Sequence, residues 1–290
     1  MSLTNKIDFA VIFTVRRANP NGDPLNGNRP RIDYDGYGEV SDVCLKRKLR
    51  NRLQDMGESI FVQSDDRRND AYKSLKERAE NCAELMKFND GKHPEQFAQA
   101  ACAQWMDVRA FGQVFAYKTL GSDKNVSIGV RGPVSIHSAV SVSPVQTFEM
   151  QITKSVNNEP PSREGIGKSS DTMGTKHRVD FGVYVTYGSI NTQLASKTGF
   201  SDEDAEKLLE ALRTLFENDA SSARPDGSME VVRVYWWRHN APTGQYSSAK
   251  VHGSLQIKPK TGVIDPRSLD DYDTILSPLE GLSCTVYDGI

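Results

Sequence analysis

The chain opens on an alternation of apolar and polar positions. Ile7, Phe9, Val11, Phe13 and Val15 fall on one side and Asp8, Thr14 and Arg16 on the other, the period of a half-buried strand. From Arg17 to Asp33 the pattern dissolves into Asn19-Pro20, Asn21-Gly22, Asp23-Pro24, Gly27 and Pro30, turn formers dense enough to predict a long ordered loop. Ser41 or Asp42 then caps a helix whose Leu45, Leu49, Leu53 and Met56 share one narrow face, and Gly57 ends it. Residues 61 to 105 pack charges around Tyr72, Leu75, Leu85 and Met86 and end in an Ala-rich stretch at Trp105, which reads as a helical insertion.

Strand character returns from Asp107 through Val108, Ala110, Val114, Phe115 and Tyr117. It continues over Val126 to Val130 and Val134 to Val142, with Gly129 and Gly132 predicted as bulges. Residues 143 to 180 alternate briefly at Phe148, Met150 and Ile152, lose all apolar periodicity, and resume as a strand at Val179, Phe181, Val183 and Val185. A loop of that length inside a domain is functional or disordered. The best-marked helix follows: Ser201 with Asp204 makes a capping-box start, acids fill the first turn, and Leu208, Leu209, Leu212, Leu215 and Phe216 form a stripe. Two more strands are expected around Met229 to Trp237 and Val251 to Ile257. Strand, helix, strands, helix, strands is the order of the split βαβ, ferredoxin-like α+β fold that RNA-recognition modules also use.

Composition narrows the class. With 290 residues, 37% hydrophobic and 26% charged, the chain is too apolar for wholesale disorder, and no apolar run approaches the roughly 20 residues a bilayer requires. The first residues, Met1 to Lys6, lack the blocks of a signal peptide, so a cytoplasmic protein without a membrane partner is expected. Cys44, Cys82, Cys102 and Cys284 are widely spaced with no Cys-x-x-Cys pair, which suggests neither a disulfide framework nor a zinc knuckle. The net charge of −2 argues at first against a nucleic-acid binder. That average hides a split: residues 1 to 180 hold 26 Lys plus Arg against 23 Asp plus Glu, giving +3, and residues 181 to 290 hold 10 against 15, giving −5.

The first helix carries Lys46, Arg47, Lys48, Arg50 and Arg52 within seven residues, on the face that the leucine stripe leaves free. Lys46 and Arg50, one turn apart, suit adjacent phosphates of a single strand; a solvated helix face is the plain alternative. Three readings stand for the loop from Asn19 to Asp33. Asp23, Asp33 and Asp35 with Asn19 and Asn21 gather a hard cation or supply an acid for RNA cleavage, although at no defined ligand spacing. Alternatively these side chains cap their own turns. In the third reading Gly22 and Gly27 admit backbone amides to a phosphate or sugar while Arg29 and Arg31 pair with it.

Residues 162 to 169 resemble the end of a P-loop, but Ser162 replaces the first glycine and no amphipathic helix follows. Lys168, Ser169, Ser170, Thr172, Thr175, Lys176, His177 and Arg178 read instead as a polar arm along a nucleic acid, with Met173 as an apolar tip able to wedge between bases; a disordered surface loop is the alternative. Arg109, Phe111 and Gly112 read as a strand in which an aromatic beside a cation suits base stacking, and Arg131 between Gly129 and Gly132 has the same two readings, contact or packing. Trp236 and Trp237 point to opposite faces of one strand, so one is core and the other is available to a partner. The five histidines lie near no Ser or Cys nucleophile pattern, so no triad is expected.

Five blocks in order resemble a known family: Asn19 to Asp23, Gly27 to Asp33, Ser41 to Asn51, Asp107 to Gly112 and Gly129 to Val134. They are similar to the backbone subunit of CRISPR Cascade complexes, the Cas7 family, and most of all to its type I-C (Csd2) branch. The resemblance implies a hand-shaped subunit, with an RNA-recognition-like palm over residues 1–60, 106–142 and 179–290. It implies helical fingers over 61–105 and a thumb hairpin over 143–178. It further implies a CRISPR RNA held by several head-to-tail copies, other Cascade subunits as neighbours, and guide bases offered to a target DNA strand, as in other RNA-guided effectors. Mapped onto this sequence, Lys46 and Arg50 become the backbone-contact candidates, with Ser41 and Arg47 beside them as RNA-binding candidates, and the segment around Met173 matches the thumb. The implied protein has no catalytic residue, metal or cofactor; the alternative is a ribonuclease using Asp23.

Overall fold

The computed structural model describes residues 1–88, 92–118, 125–153 and 173–290. β1 (Ile7–Ala18) leads into the small ladder of β2 (Gly22–Asp23) with β3 (Arg29–Pro30), then β4 (Tyr37–Val40) and α1 (Asp42–Asp55). The helices α2 (Leu75–Glu80), α3 (Ala83–Met86), α4 (Pro94–Gln104) and α5 (Met106–Phe111) precede a hairpin of β5 (Gly112–Lys118) and β6 (Asn125–Arg131). Next come β7 (Val134–Ile136), β8 (Ala139–Pro144), β9 (Thr147–Thr153) and β10 (Met173–Ile190). The chain continues through α6 (Thr192–Thr198), α7 (Asp202–Arg213), β11 (Met229–Arg238), α8 (Ser248–Gly253), β12 (Leu255–Pro259), β13 (Tyr272–Leu276) and β14 (Cys284–Asp288).

The sheet runs β14-β11-β1-β10-β8-β4 with every pairing antiparallel. Taking β1, α1, β8, β10, α7 and β11 as two interlocked βαβ units, the inner strand order is fourth, first, third, second, which is the split βαβ fold. The predicted α+β class is correct. Leu45, Leu49 and Leu53 of α1 and Leu208, Leu209 and Leu212 of α7 meet Phe9, Val11 and Phe13 in one core, each side chain contributing about 1.5–3 kcal/mol by burial. The capping box at Ser201 and Asp204 forms as the spacing predicts.

A second core covers the opposite face. Ala10 and Ile12 of β1, Phe181 and Val183 of β10, and Trp237 pack under Val251 of α8 and Leu255 and Tyr272 of the β12–β13 hairpin. β1 is therefore buried on both faces, not half-buried, and Asp8 is fully enclosed. Trp236 and Trp237 do point to opposite faces, yet both are buried, Trp236 stacked on Phe9 at 5.7 Å and Trp237 on Tyr235 at 6.1 Å, so neither is open to a partner. A third core, centred on Phe61, Phe97, Trp105 and Phe115, belongs to the inserted helices and the β5–β6 hairpin.

Three local expectations are corrected. Val108 and Ala110 lie in helix α5, where Val108 joins the insertion core and Ala110 the sheet core; their spacing of two mimics a strand because the helix is wedged between two apolar volumes. Gly112 closes that helix at φ +79°, and a Cβ there would lie 2.3 Å from the Val130 carbonyl oxygen, so only glycine fits the turn into β5. Gly129 sits in an unbroken β5–β6 ladder and is no bulge. Val251 is in α8, started by Ser247 accepting the Lys250 amide, and the strand begins only at Leu255.

Candidate nucleic-acid interface

The turn-rich loop after β1 is held by its own amides and carboxylates. Asn21 Oδ1 accepts from the Ser41 amide at 3.0 Å and from the Ser41 hydroxyl at 2.9 Å, so the loop is pinned to the residue that caps α1. Ser41 Oγ in turn accepts the Cys44 amide. Asn19 is buried and donates to the Asn28 carbonyl at 2.7 Å. A Cβ on Gly22 would meet Asn28 Oδ1 at 1.9 Å, so a side chain there would displace the Asn28 amide. Asp23 accepts the Leu25 amide and lies 3.5 Å from Arg31, the turn chemistry that was one of three readings of this loop. Among the described residues no cluster of three or more His, Cys, Asp or Glu side chains is placed to hold a metal ion.

The cation row on α1 does not form a free track. Lys48 is buried against Asp219 and the Phe216 ring, and burial pushes its ammonium pKa down. Arg52 donates to Thr214 at 2.7 Å. Arg47 donates to the Val62 carbonyl and to Asn51, and burial lowers its pKa. Arg50 donates to the fully buried Asp107 at 3.0 Å and lies over the Phe111 ring at 5.2 Å. Only Lys46, paired with Asp42 at 3.1 Å on the helix surface, keeps a partly open ammonium. Four of the five cations thus fasten α1 to its neighbours.

Arg109 is likewise structural. It lies on α5 rather than a strand, and its fork clasps Asp204 with two contacts of 2.9 Å while a third nitrogen reaches the Cys102 carbonyl at 2.6 Å. Burial pushes the Asp204 carboxyl up, but the Arg109 fork and the Ser201 amide outweigh it and hold the carboxyl below the usual range. A depressed carboxylate contributes stability that is present above about pH 4 and is lost as pH falls through the lowered value. Asp204→Asn should therefore flatten the acid limb of the stability profile, read as a smaller gap between urea midpoints at pH 7 and pH 3 than in the wild type.

Phe111 offers no stacking platform, because Arg50 covers its ring. The sheet face on which RNA-recognition modules stack bases is closed here by α8 and the β12–β13 hairpin. What stays open is the junction between the loop after β1 and the β9–β10 hairpin. Arg29 reaches across it to Glu149 and holds that carboxyl below the usual range, and His177 sits 3.5 Å from the same oxygen. Around this tie, among the described residues, the Arg178 side chain makes no hydrogen bond or ion pair, the Arg16 guanidinium has only the Phe181 ring beneath it, and Lys176 reaches the Ser222 carbonyl. Arg131, at the end of β6, is exposed, and its side chain has no hydrogen bond or ion pair among the described residues. Met150, Ile152 and Met173 are exposed on the hairpin, with Met173 at 64%. Lys168, Ser169, Ser170 and Thr172 lie outside the described residues, as does the P-loop-like stretch. Sequence reasoning passed over Arg16, Glu149 and Asp107; the first of these was signalled only by a pair of adjacent cations where a strand meets a turn.

Fold and junction define an α+β protein on a split βαβ sheet, with inserted helices on one side and a cationic hairpin base on the other. The family model for CRISPR-associated protein Cas7 matches residues 5–277, and the chain belongs to that family. A CRISPR-associated protein Cas7 of Haloferax volcanii is 28% identical over 223 residues, which cover 72% of this chain and 63% of that relative, so the chain spans under two thirds of the relative's length. Among solved structures, a chain of a CRISPR RNA-guided surveillance complex, pre-nicking, aligns over 84% of this chain and 83% of its own at 15% identity and a TM-score of 0.49. A chain of another CRISPR RNA-guided surveillance complex aligns over 80% and 68% at 16% identity and a TM-score of 0.43. No helix among the described residues is long and apolar enough to cross a membrane.

Proposed function

We propose that this protein is the RNA-binding backbone subunit of a CRISPR surveillance complex of type I-C, several copies lying head to tail along one guide RNA and presenting its bases to a target DNA strand. It acts by binding, without chemistry on the RNA. The observation that carries the reading is the junction itself: Arg16 on β1 and Arg178 on β10, cations with few partners among the described residues, stand beside a palm loop tied to the hairpin through Arg29 and Glu149, and Lys46 adds a partly open ammonium on α1. Cations so placed replace condensed counterions on a phosphate backbone without reading sequence.

Exposed apolar side chains support association between copies. Leu25 at 99%, Tyr34 at 109% and Val43 at 70% stand exposed on the palm loop and the start of α1, apolar surface that a neighbouring copy would cover. Base readout is left to guide–target pairing, which fits a sheet face covered, among the described residues, by α8 and the β12–β13 hairpin. The test is a salt titration of RNA retention in the assembled complex. Lys46→Ala, Arg131→Ala and Arg178→Ala combined should make the log–log salt slope shallower by about 2 per copy, near 0.7 for each contact to a single strand. An unchanged slope overturns the assignment of these side chains to the backbone, and a labelled cognate RNA cut in magnesium, with cutting abolished by Asp23→Ala, overturns the non-catalytic reading.

A further inference from the structure

Arg17 has a left-handed backbone, φ +50°, inside the longest central pairing of the sheet. Its effect on the strand is visible in the burial pattern. Val15 and Ala18, three apart rather than two, both face the helix-side core, so the left-handed residue resets the inward–outward alternation and leaves its own side chain three-quarters exposed. The neighbours stay in register across this point, Arg16 opposite Phe181 and Ala18 opposite Val179.

An arginine is a poor choice for such a conformation on folding grounds. Glycine adopts a positive φ without the steric conflict that a Cβ brings, and asparagine tolerates it better than long side chains do. The interaction that the Arg17 side chain gains in return is an ion pair with Asp180 at 3.8 Å between exposed groups, which contributes little. The same carboxylate lies 4.0 Å from Arg267, itself 64% exposed and anchored by Asp265 at 2.7 Å. Two guanidiniums thus flank one half-open carboxylate at the edge of the hairpin base: Arg17 is held by one long ion pair, while Arg267 is fixed by two contacts to Asp265, at 2.9 and 2.7 Å, that leave its third nitrogen turned toward Asp180. Strain of this kind at an exposed, charged position marks a group whose partner is outside the chain.

We infer that Arg17 and Arg267 form a phosphodiester-binding subsite in which a phosphate of the bound RNA takes the place that Asp180 holds in the free subunit. This rests on the RNA-backbone reading above and adds a contact point to it. Arg17→Gly relieves the strained φ and removes the charge together, so stability and binding should move in opposite directions. The test uses the full complex assembled on its guide RNA, with the isolated chain measured in parallel. Arg17→Gly should raise the thermal midpoint of the chain while making the log–log salt slope of RNA retention shallower by about 0.7 per copy. Asp180→Asn, which removes the competing carboxylate, should tighten RNA retention at fixed salt. An Arg17→Gly complex with unchanged slope overturns the inference, as does one that loses copies at unchanged slope, since the partner is then a neighbouring protein surface. Wild-type protein that carries no RNA at all fails the backbone reading itself, a result distinct from either.

Discussion

Asp107→Ala should unfold the attachment of the inserted helices, at a cost of about 3–5 kcal/mol. Asp107 has no exposure, and its two oxygens accept the Phe61 amide at 2.7 Å, the Val62 amide at 3.1 Å and the Arg50 guanidinium at 3.0 Å. Alanine leaves two backbone donors and one largely buried cation without their acceptor. Leaving a buried charge unpaired costs far more than the pair contributes net, which is why the expected loss exceeds that of an ordinary hydrogen bond. Because Arg50 also covers Phe111, the loss should spread from the segment after α1 to the end of α5. Urea denaturation checks this: a lower midpoint with an early phase that exposes Trp105 is the expected result, and an unfolding free energy within about 0.5 kcal/mol of wild type would place the anchor elsewhere.

The second large effect is expected at the other end of β1. Asp8 Oδ2 accepts from His239 Nε2 at 2.8 Å and lies 3.0 Å from the Lys6 ammonium, with all three groups enclosed or nearly so. His239 Nδ1 accepts the Gln245 amide at 2.9 Å, so the ring proton sits on Nε2 and points at Asp8. The cluster joins β1 to the segment that leads into α8, the lid of the second core. Asp8→Ala removes the carboxylate that both Lys6 and His239 face and should destabilise by about 3–5 kcal/mol. Asp8→Asn keeps an acceptor for the His239 proton and should lose less. Hydrogen exchange is the direct readout, with loss of protection over residues 239–259 expected before any change in α1 or α7.

The fold was legible where a single segment carries its own signal. The Leu45, Leu49 and Leu53 stripe, the Ser201 capping box and the alternation of β1 each follow from residues within a few positions of one another. What was not legible is where polar groups find partners far along the chain. Lys48 meets Asp219, 171 positions away, Arg109 meets Asp204, 95 away, and Arg50 meets Asp107, 57 away. On a helical projection of α1, Lys48 and Arg50 flank the leucines, and nothing local distinguishes a solvated lysine from one buried against an aspartate. Asp204 shows the limit well: its spacing from Ser201 announces the cap, while its second task as the anchor for Arg109 has no trace in sequence.

The same limit explains why the candidate interface moved. Read by type and spacing, the cations of α1 were the strongest signal; placed in space, most of them are mortar between helix, insertion and sheet. The open charges are those at the hairpin base, Arg16, Arg17 and Arg178, which in sequence are scattered over two strands and come together because β1 and β10 pair along their length. The split of charge along the chain keeps its meaning, since these groups belong to the +3 portion and the acid-rich first turn of α7 to the −5 remainder.

The most direct test of the backbone reading is the native mass of the protein purified after co-expression with a CRISPR array, taken with its 260 to 280 nm absorbance ratio. The expected result is a particle with several copies of the 32.2 kDa chain and the absorbance of bound RNA, which falls apart as salt is raised. An RNA-free monomer under the same conditions would contradict it.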